Sequence, residues 1–525
     1  MDIWTPAKVG LEYRRLFGNT KLILGSNREP YSHQPSPTGI KCERPAGGLT
    51  SALDPVMQAL GGTWVAWGSG KADRETVDSH DRVMVPPDCP SYPLRRVWLT
   101  QEEIEGYYNG FSNQTLWPLS HMLVDKARFR WKFWQAYQKV NQNFAEIIAR
   151  EAAGPNRPII WLQDYHLALA PRQIRKYYPD AFIALFWHIP WPAWEHFRIL
   201  PQRVEILEGL LGCDLIGFHL KNFYANFLEC ASRELDARVD PGRRTVSFGD
   251  HRTQVGSFPI SIDEDYFRKI AESSRTEKRM ERLRARKDLR GRWIGIGVDR
   301  MDYSKGILER LTALEFLFER YPQYRKRLTF VQVSAPSRTR IKAYQDLRNE
   351  VCRRIEAINT RYRQDNWTPI IHITEKLTQE ELAAYYRLAD IAIISSLQDG
   401  MNLVVKEYIA CQVEEKGVIL LSEFAGAADE MSNVIPINPY DGEDFAWKIK
   451  SALELPPAEK KRRMRSMRSY LRVNNIYRWI GGNLRAMHQN SAWSKVRPSP
   501  ATSLQAISGV SVASISSGLP PGRNY

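Results

Sequence analysis

Ten short apolar runs, most separated by enough residues for a helix, restrict most tightly how this chain can fold. In the first half they are Lys21–Gly25, Thr63–Trp67, Pro158–Leu162, Ala181–Phe186 and Asp214–Phe218. A second series starts afresh with Trp293–Val298 and continues through Leu328–Val333, Ile370–Ile373, Asp390–Ile394 and Gly417–Leu421. Runs this uniformly apolar suit strands buried on both faces, and the intervals suit crossover helices, which is the pattern of a parallel sheet covered on both sides. Two such series predict two doubly wound α/β halves with a cleft between them. A chain of 525 residues also exceeds what one core organises.

The boundary is expected near Phe258-Pro-Ile-Ser-Ile-Asp263, where a Pro-containing extended segment precedes a basic helical stretch. The resulting division is an N-terminal extension over 1–20, a first domain over 21–257, and a second over 258–490 whose final helix returns to the first. The Ser/Pro/Gly-rich stretch 491–525 has no period able to bury a face and is expected to be a disordered tail. Phe129, Phe133, Tyr137, Val140, Phe144 and Ile147 recur at helical spacing and read as a core stripe without chemistry.

Composition narrows the function. Hydrophobic residues make up 43% and charged residues 25%, ordinary values for a soluble enzyme. No apolar run approaches the roughly 20 residues of a membrane span. Met1-Asp-Ile-Trp-Thr-Pro6 also lacks the regions of a signal peptide, so no membrane partner and a cytoplasmic location are expected. Cys42, Cys89, Cys213, Cys230, Cys352 and Cys411 are scattered without a Cys-x-x-Cys pair, so neither a zinc knuckle nor a disulfide framework is indicated. The net charge of +15 is concentrated in 277–292 and 459–472, which read as solvated helical faces with some acidic partners. Neither stretch interleaves aromatics or carries a zinc-finger or RNP signature, so small anionic substrates are expected rather than nucleic acid.

Two segments place charged side chains where an apolar strand stops and a helix begins. In Arg300-Met-Asp-Tyr-Ser-Lys305-Gly306, Arg300 and Lys305 fall on a strand-to-helix turn beside free backbone N–H groups, a setting that suits a nucleoside diphosphate. In Asp399-Gly-Met-Asn-Leu-Val-Val-Lys-Glu407, Gly400 permits a tight turn and the amides of Leu403–Val405 open a helix toward an anion. Asp399 and Glu407 would then accept hydrogen bonds from sugar and ribose hydroxyls. Asp164 and Asp399 could instead form the carboxylate pair of a glycoside hydrolase. Hydrolysis needs no diphosphate cradle, whereas a transferase needs cations such as Arg300 and Lys305 on its departing diphosphate.

Ser26-Asn-Arg-Glu-Pro30, Ala46-Gly-Gly-Leu49, the block Tyr107–Pro118, Asp164-Tyr-His166, His188-Ile-Pro-Trp-Pro192, Arg300–Gly306, Pro336-Ser-Arg338 and Asp399–Glu407 stand in the order found in trehalose-6-phosphate synthases. The chain resembles that family over about 20–480. The resemblance implies an α/β GT-B fold of two Rossmann-like domains and a retaining transfer of glucose from UDP-glucose to glucose 6-phosphate. It implies no metal and no cofactor beyond the nucleotide-sugar co-substrate. Carried over by residue, it assigns Gly47, Gly48, Arg300, Lys305, Leu403, Val404, Val405, Lys406 and Glu407 to the donor. Arg28, Tyr108, Trp117, Asp164 and Arg338 go to the acceptor, with the two arginines and Tyr108 on its phosphate and Asp164 on sugar hydroxyls. Arg300, Lys305, His188 and Asp399 are implied as the catalytic group, the last two orienting substrate and stabilising charge. Arg28-Glu-Pro-Tyr31 also resembles the branch that makes glucosylglycerol phosphate from ADP-glucose and glycerol 3-phosphate, and a non-catalytic regulatory member is a further alternative. The donor base and the oligomeric state, a homo-oligomer included, stay open.

Overall fold

The structure, a computed structural model, describes residues 3–44, 48–154 and 157–494. Its first sheet has ten strands, in the spatial order Arg238–Asp240, Thr245–Phe248, His251–Ser257, Leu215–Phe218, Phe182–Phe186, Ile159–Gln163, Leu22–Arg28, Thr63–Trp67, Tyr92–Val97 and Arg82–Val85. The seven from His251–Ser257 to Tyr92–Val97 are parallel, and antiparallel strands close both edges. The second sheet is six parallel strands in the order Ile370–Ile373, Leu328–Ala335, Trp293–Arg300, Ile391–Ile394, Val418–Ser422 and Ile435–Ile437. Each of the ten apolar runs contributes a strand, because the middle of each sheet is buried on both faces. Ile159–Gln163, Phe182–Phe186 and Val418–Ser422 are buried at every position.

Numbered along the chain, the parallel strands of both sheets follow the spatial order 3-2-1-4-5-6, extended by a seventh in the first sheet. The winding therefore reverses between the first and fourth strands, and such a reversal leaves a crevice at their carboxyl ends. Leu22–Arg28 ends on Arg28, and Ile159–Gln163 runs into Asp164. Trp293–Arg300 ends on Arg300, and Ile391–Ile394 leads to Asp399. Four of the charged residues singled out above thus flank the two switch points.

The remaining strands carry side chains with other duties. In Tyr92–Val97, Arg95 and Arg96 interrupt the apolar run, and Arg96 is wholly buried in an ionic cluster with Asp73, His33 and Glu29. In His251–Ser257 the Thr253 hydroxyl and the His251 ring both reach the Cys213 carbonyl.

The helix Pro6–Phe17, capped by Thr5, packs against the helices Gly48–Leu60 and Ile476–Gln489. Asn475 Nδ2 donates to the Trp4 carbonyl at 2.9 Å, so the described part of 1–20 belongs to the first unit's packing. The stretch expected as a tail starts with structure: Ser491–Ser494 is helical, and the Trp493 ring meets Phe17 and Phe182 edge-on at 5.1 and 6.0 Å. Residues 495–525 lie outside the described residues. The aromatic stripe is buried within the helix Trp131–Ala152, except that Phe129 precedes the helix and is 39% exposed.

The chain crosses between the units at 258–263 and returns at 474–476, and the two crossings are bonded together. Ile476 N–H donates to the Ile262 carbonyl at 2.9 Å, Trp479 Nε1 to the Phe258 carbonyl at 3.0 Å, and the Tyr477 hydroxyl to Asp263 at 2.5 Å. No helix among the described residues is long and apolar enough to cross a membrane.

Candidate active site

On the first unit, a π-helical stretch over Ile104–Leu116 presents Tyr108, a wide helical geometry that recurs at functional sites. The Tyr108 hydroxyl lies 3.2 Å from the Arg28 guanidinium, and its ring stacks on His166 at 6.0 Å. Burial pushes the Tyr108 phenol up, but the charges of Arg28, Arg338 and Arg300 outweigh it and bring it down to about 8. Asp164 accepts from the amides of Tyr165 and His188 at 3.0 and 3.2 Å. Burial raises its carboxyl to about 6 against the pull of those amides and of Arg300 and Arg338. His188 Nε2 is 2.9 Å from Gln163 Oε1, and burial, reinforced by His219 and His166, holds the imidazole well below its ordinary value. A neutral His188 can orient a hydroxyl but brings no charge.

On the second unit, the turn after Trp293–Arg300 is shaped by Gly306, which sits at φ 61° where an added β-carbon would overlap the Ser395 carbonyl oxygen. The close approach carries Lys305 to the neighbouring loop, where its ammonium donates to Asp399 at 2.5 Å. Burial would raise Asp399, but Lys305 dominates the charges around it and holds the carboxyl at about 2. Asn402 caps no helix N–H; its amide donates to Asp399 at 3.0 Å and leaves the first-turn amides of Leu403–Cys411 to a ligand.

The two units meet on Trp117. Its indole N–H donates to Asp302 at 3.3 Å, and the guanidiniums of Arg338 and Arg300 lie 4.0 and 5.2 Å from its ring centroid. Arg338 pairs with Asp302 at 2.9 Å and bonds Tyr344, whereas Arg300 pairs with no carboxylate among the described residues. Asp302 is completely buried; burial alone would raise its carboxyl, yet Arg338, Arg300 and Lys305 keep it below the usual range. Asp164, Arg338 and Asn402 hold left-handed backbone at φ 74°, 46° and 73°, strain of a kind that gathers at functional sites.

Arg28, Tyr108, Trp117, Asp164, His188, Arg300, Lys305, Arg338 and Asp399 therefore share one cleft. Leu403 and Val404 are half-buried in the first turn of their helix, Val405 is buried, and Glu407 is raised to about 7 by burial, with the Tyr386 hydroxyl 3.4 Å away. Lys406 departs from the expected donor set: its ammonium is buried and bonds the Ile260 carbonyl at 2.7 Å and Glu430 at 2.6 Å. Only its backbone is left for a donor contact. Gly48 begins the helix Gly48–Leu60, and Gly47 lies outside the described residues.

Four residues with no assigned role prove central to the geometry: Asp302, Tyr344, Gln163 and His121, whose Nδ1 is 2.7 Å from the Trp117 carbonyl and whose ring lies 4.1 Å from the indole. Asp302 stands inside a motif that sequence did single out, and it also caps the turn there, accepting from Ser304 N–H at 3.1 Å. Among the described residues no group of three or more His, Cys, Asp or Glu could hold a metal ion.

Gly400 joins the opposing loops, because a β-carbon there would overlap the His188 carbonyl oxygen. Gly400→Ala is expected to push the loops apart and lower turnover by about tenfold or more, since a displacement of about 1 Å suffices for such losses. Steady-state kinetics that match the parent protein would show that this contact does not set the cleft.

Two Rossmann-like units that close a cation-lined turn and a second arginine cluster onto one interdomain cleft define a GT-B glycosyltransferase. The chain belongs to glycosyltransferase family 20, whose profile it matches over residues 20–489. It is 37% identical to trehalose-6-phosphate synthase of Mycolicibacterium smegmatis over 90% of this chain and 94% of that one. It is 35% identical to α,α-trehalose-phosphate synthase [UDP-forming] A of Dictyostelium discoideum over 90% of its own length, spanning 63% of that protein. Two solved structures each superpose with a TM-score of 0.79. One is the UDP-forming enzyme of Burkholderia xenovorans in complex with glucose 6-phosphate, 31% identical, covering 89% of this chain and 99% of the other. The second, from E. coli, is bound with UDP-2-fluoro glucose, is 30% identical, and covers 90% of this chain and 99% of its own.

Proposed function

We propose that the protein transfers glucose from UDP-glucose to glucose 6-phosphate with retention, giving α,α-trehalose 6-phosphate and UDP. The observation that carries this reading is the bracketing of Trp117 by Arg300 and Arg338, which aims one uncommitted guanidinium and one carboxylate-held guanidinium at a single aromatic wall between the units. Relatives crystallised with glucose 6-phosphate and with a UDP-glucose analogue support both halves of it.

In this reading Arg300 and Lys305 hold the donor diphosphate, and the amides of Leu403–Val405 add a helix N-terminus to it. Glu407, half-buried with the Tyr386 hydroxyl 3.4 Å away, accepts from ribose hydroxyls. Arg28, Tyr108 and Arg338 take the acceptor phosphate, while Asp164 orients the attacking hydroxyl. The C1–O bond to the diphosphate breaks as the acceptor oxygen approaches the same face, and the leaving phosphate oxygen takes the acceptor proton. No protein nucleophile enters. The diphosphate charge is met by side chains, so turnover is expected to persist in excess chelator.

Purified protein incubated with UDP-glucose, ADP-glucose or GDP-glucose against glucose 6-phosphate or glycerol 3-phosphate, with product mass and anomeric couplings, tests the reading. Product formed only with glycerol 3-phosphate would overturn it. The phosphate role of Tyr108 has its own signature. Below about pH 8 the phenol donates a hydrogen bond; above it, a phenolate repels the acceptor phosphate. kcat/KM for the acceptor should therefore fall above about pH 8, and Tyr108→Phe should remove that limb while raising KM. An alkaline limb unchanged in the variant would discharge Tyr108 from this role.

A further inference from the structure

Part of the chain's positive charge gathers around a second cavity, of about 600 Å³, that the transfer reaction does not use. It lies at the amino ends of the second sheet's strands, where Trp293, Asp390 and Lys416 stand at or just before the starts of Trp293–Arg300, Ile391–Ile394 and Val418–Ser422. Arg300 is at the far end of the first of these, about 23 Å away at a strand's rise per residue. The cavity is lined by five cations, Arg284, Arg290, Arg292, Arg327 and Lys416, against one carboxylate, Asp390. That carboxylate is already engaged, accepting from Ile294 N–H at 2.8 Å and from Lys416 at 3.4 Å.

Elsewhere the basic stretches are compensated. Arg275 and Arg279 reach Glu380 and Glu381, Arg462 and Arg463 hold Glu459, and Arg465 holds Glu415. Around this cavity the pattern changes. Arg284 has only a 3.7 Å contact with Glu277, and Arg292 donates to the carbonyls of Lys287 and Lys326 at 2.6 and 3.1 Å. Arg327 lies over the Trp293 ring at 4.7 Å. Arg290, Arg292 and Arg327 form no ion pair among the described residues. Guanidiniums that face one hollow without counter-charge repel one another, and a phosphate group relieves this through paired N–H contacts. The volume falls in the range of small-molecule sites, and the half-buried Trp293 offers a flat apolar surface beside the cations.

We propose that this cavity binds a small ligand carrying two or more adjacent phosphate groups, at a site separate from the catalytic cleft. Calorimetric titration with inorganic tripolyphosphate tests it on the parent protein, on Arg300→Ala and on Arg290→Glu/Arg327→Glu, whose substituted side chains are exposed. The site predicts binding that survives Arg300→Ala, weakens as salt is raised, and drops by about tenfold or more in the double variant while turnover there stays at the parent level. Loss of all binding in Arg300→Ala, or undiminished binding in the double variant, overturns the proposal. ATP and a sugar bisphosphate identify the source of the phosphates. A preference for ATP that disappears in Trp293→Ala assigns a nucleotide, and equal affinities assign the phosphates alone.

Discussion

Arg300→Ala is expected to lower kcat/KM by about 10²–10³ while leaving the fold intact, the scale of losing one preorganised donor to a developing charge. Arg300 combines half-burial against the Trp117 ring with freedom from any carboxylate partner among the described residues. Its charge already acts on Tyr108, Asp164 and Asp302, so it sits where donor and acceptor anions would meet. When Arg300 is removed, the buried Asp302 keeps its direct partner Arg338 and the charge of Lys305, so that carboxylate is not left unpaired. Kinetics with varied nucleotide sugar, alongside a melting curve, separate the two effects. Turnover within a few-fold of the parent protein would remove Arg300 from the reaction, and a large fall in melting temperature would recast it as structural.

Asp302→Ala should act in the opposite sense, as a stability lesion first. This fully buried carboxylate accepts from Trp117, Ser304 and Arg338 and balances a guanidinium whose side chain is only 3% exposed. Deleting one member of a buried pair leaves an uncompensated charge and typically costs about 3–5 kcal/mol, well above an exposed ion pair. Urea unfolding followed by tryptophan fluorescence should show a midpoint shift of that size. Asp302→Asn, which keeps the shape and an acceptor for Trp117, should lose less stability yet still misplace Arg338 and raise KM for the sugar phosphate. If Asp302→Ala unfolds at the same urea concentration as the parent protein, Arg338 is neutralised by another route and Asp302 is not the hub.

The contrast between these residues also marks what was legible in the sequence. Strands such as Phe182–Phe186 were readable because burial on both faces leaves no room for a polar side chain. Tyr92–Val97 was hidden because Arg96 is itself buried by ionic partners distant in sequence. Arg300 and Lys305 announce themselves locally, since a strand-end turn beside a helix start is where phosphates bind. Asp302, Tyr344 and Gln163 acquire meaning only from contacts with Trp117, Arg338 and His188, which no local pattern encodes. The fate of the Lys406 side chain was hidden for the same reason: that Ile260 and Glu430 enclose its ammonium depends on contacts far off in sequence.

The paired crossings at 258–263 and 474–476 limit how the cleft can work. Because Ile476 is bonded to Ile262, Trp479 to Phe258 and Tyr477 to Asp263, both connections lie along one edge and act as a single spine. Motion that leaves those bonds whole is a swing of one unit about that spine, with little sliding or twisting. Lys406, locked onto Ile260 at the same edge, ties the helix that begins at Leu403 directly to the pivot. That helix and the hinge therefore turn as one piece, and a ligand held at the helix's first-turn amides would have a short lever on the angle at which the two halves meet.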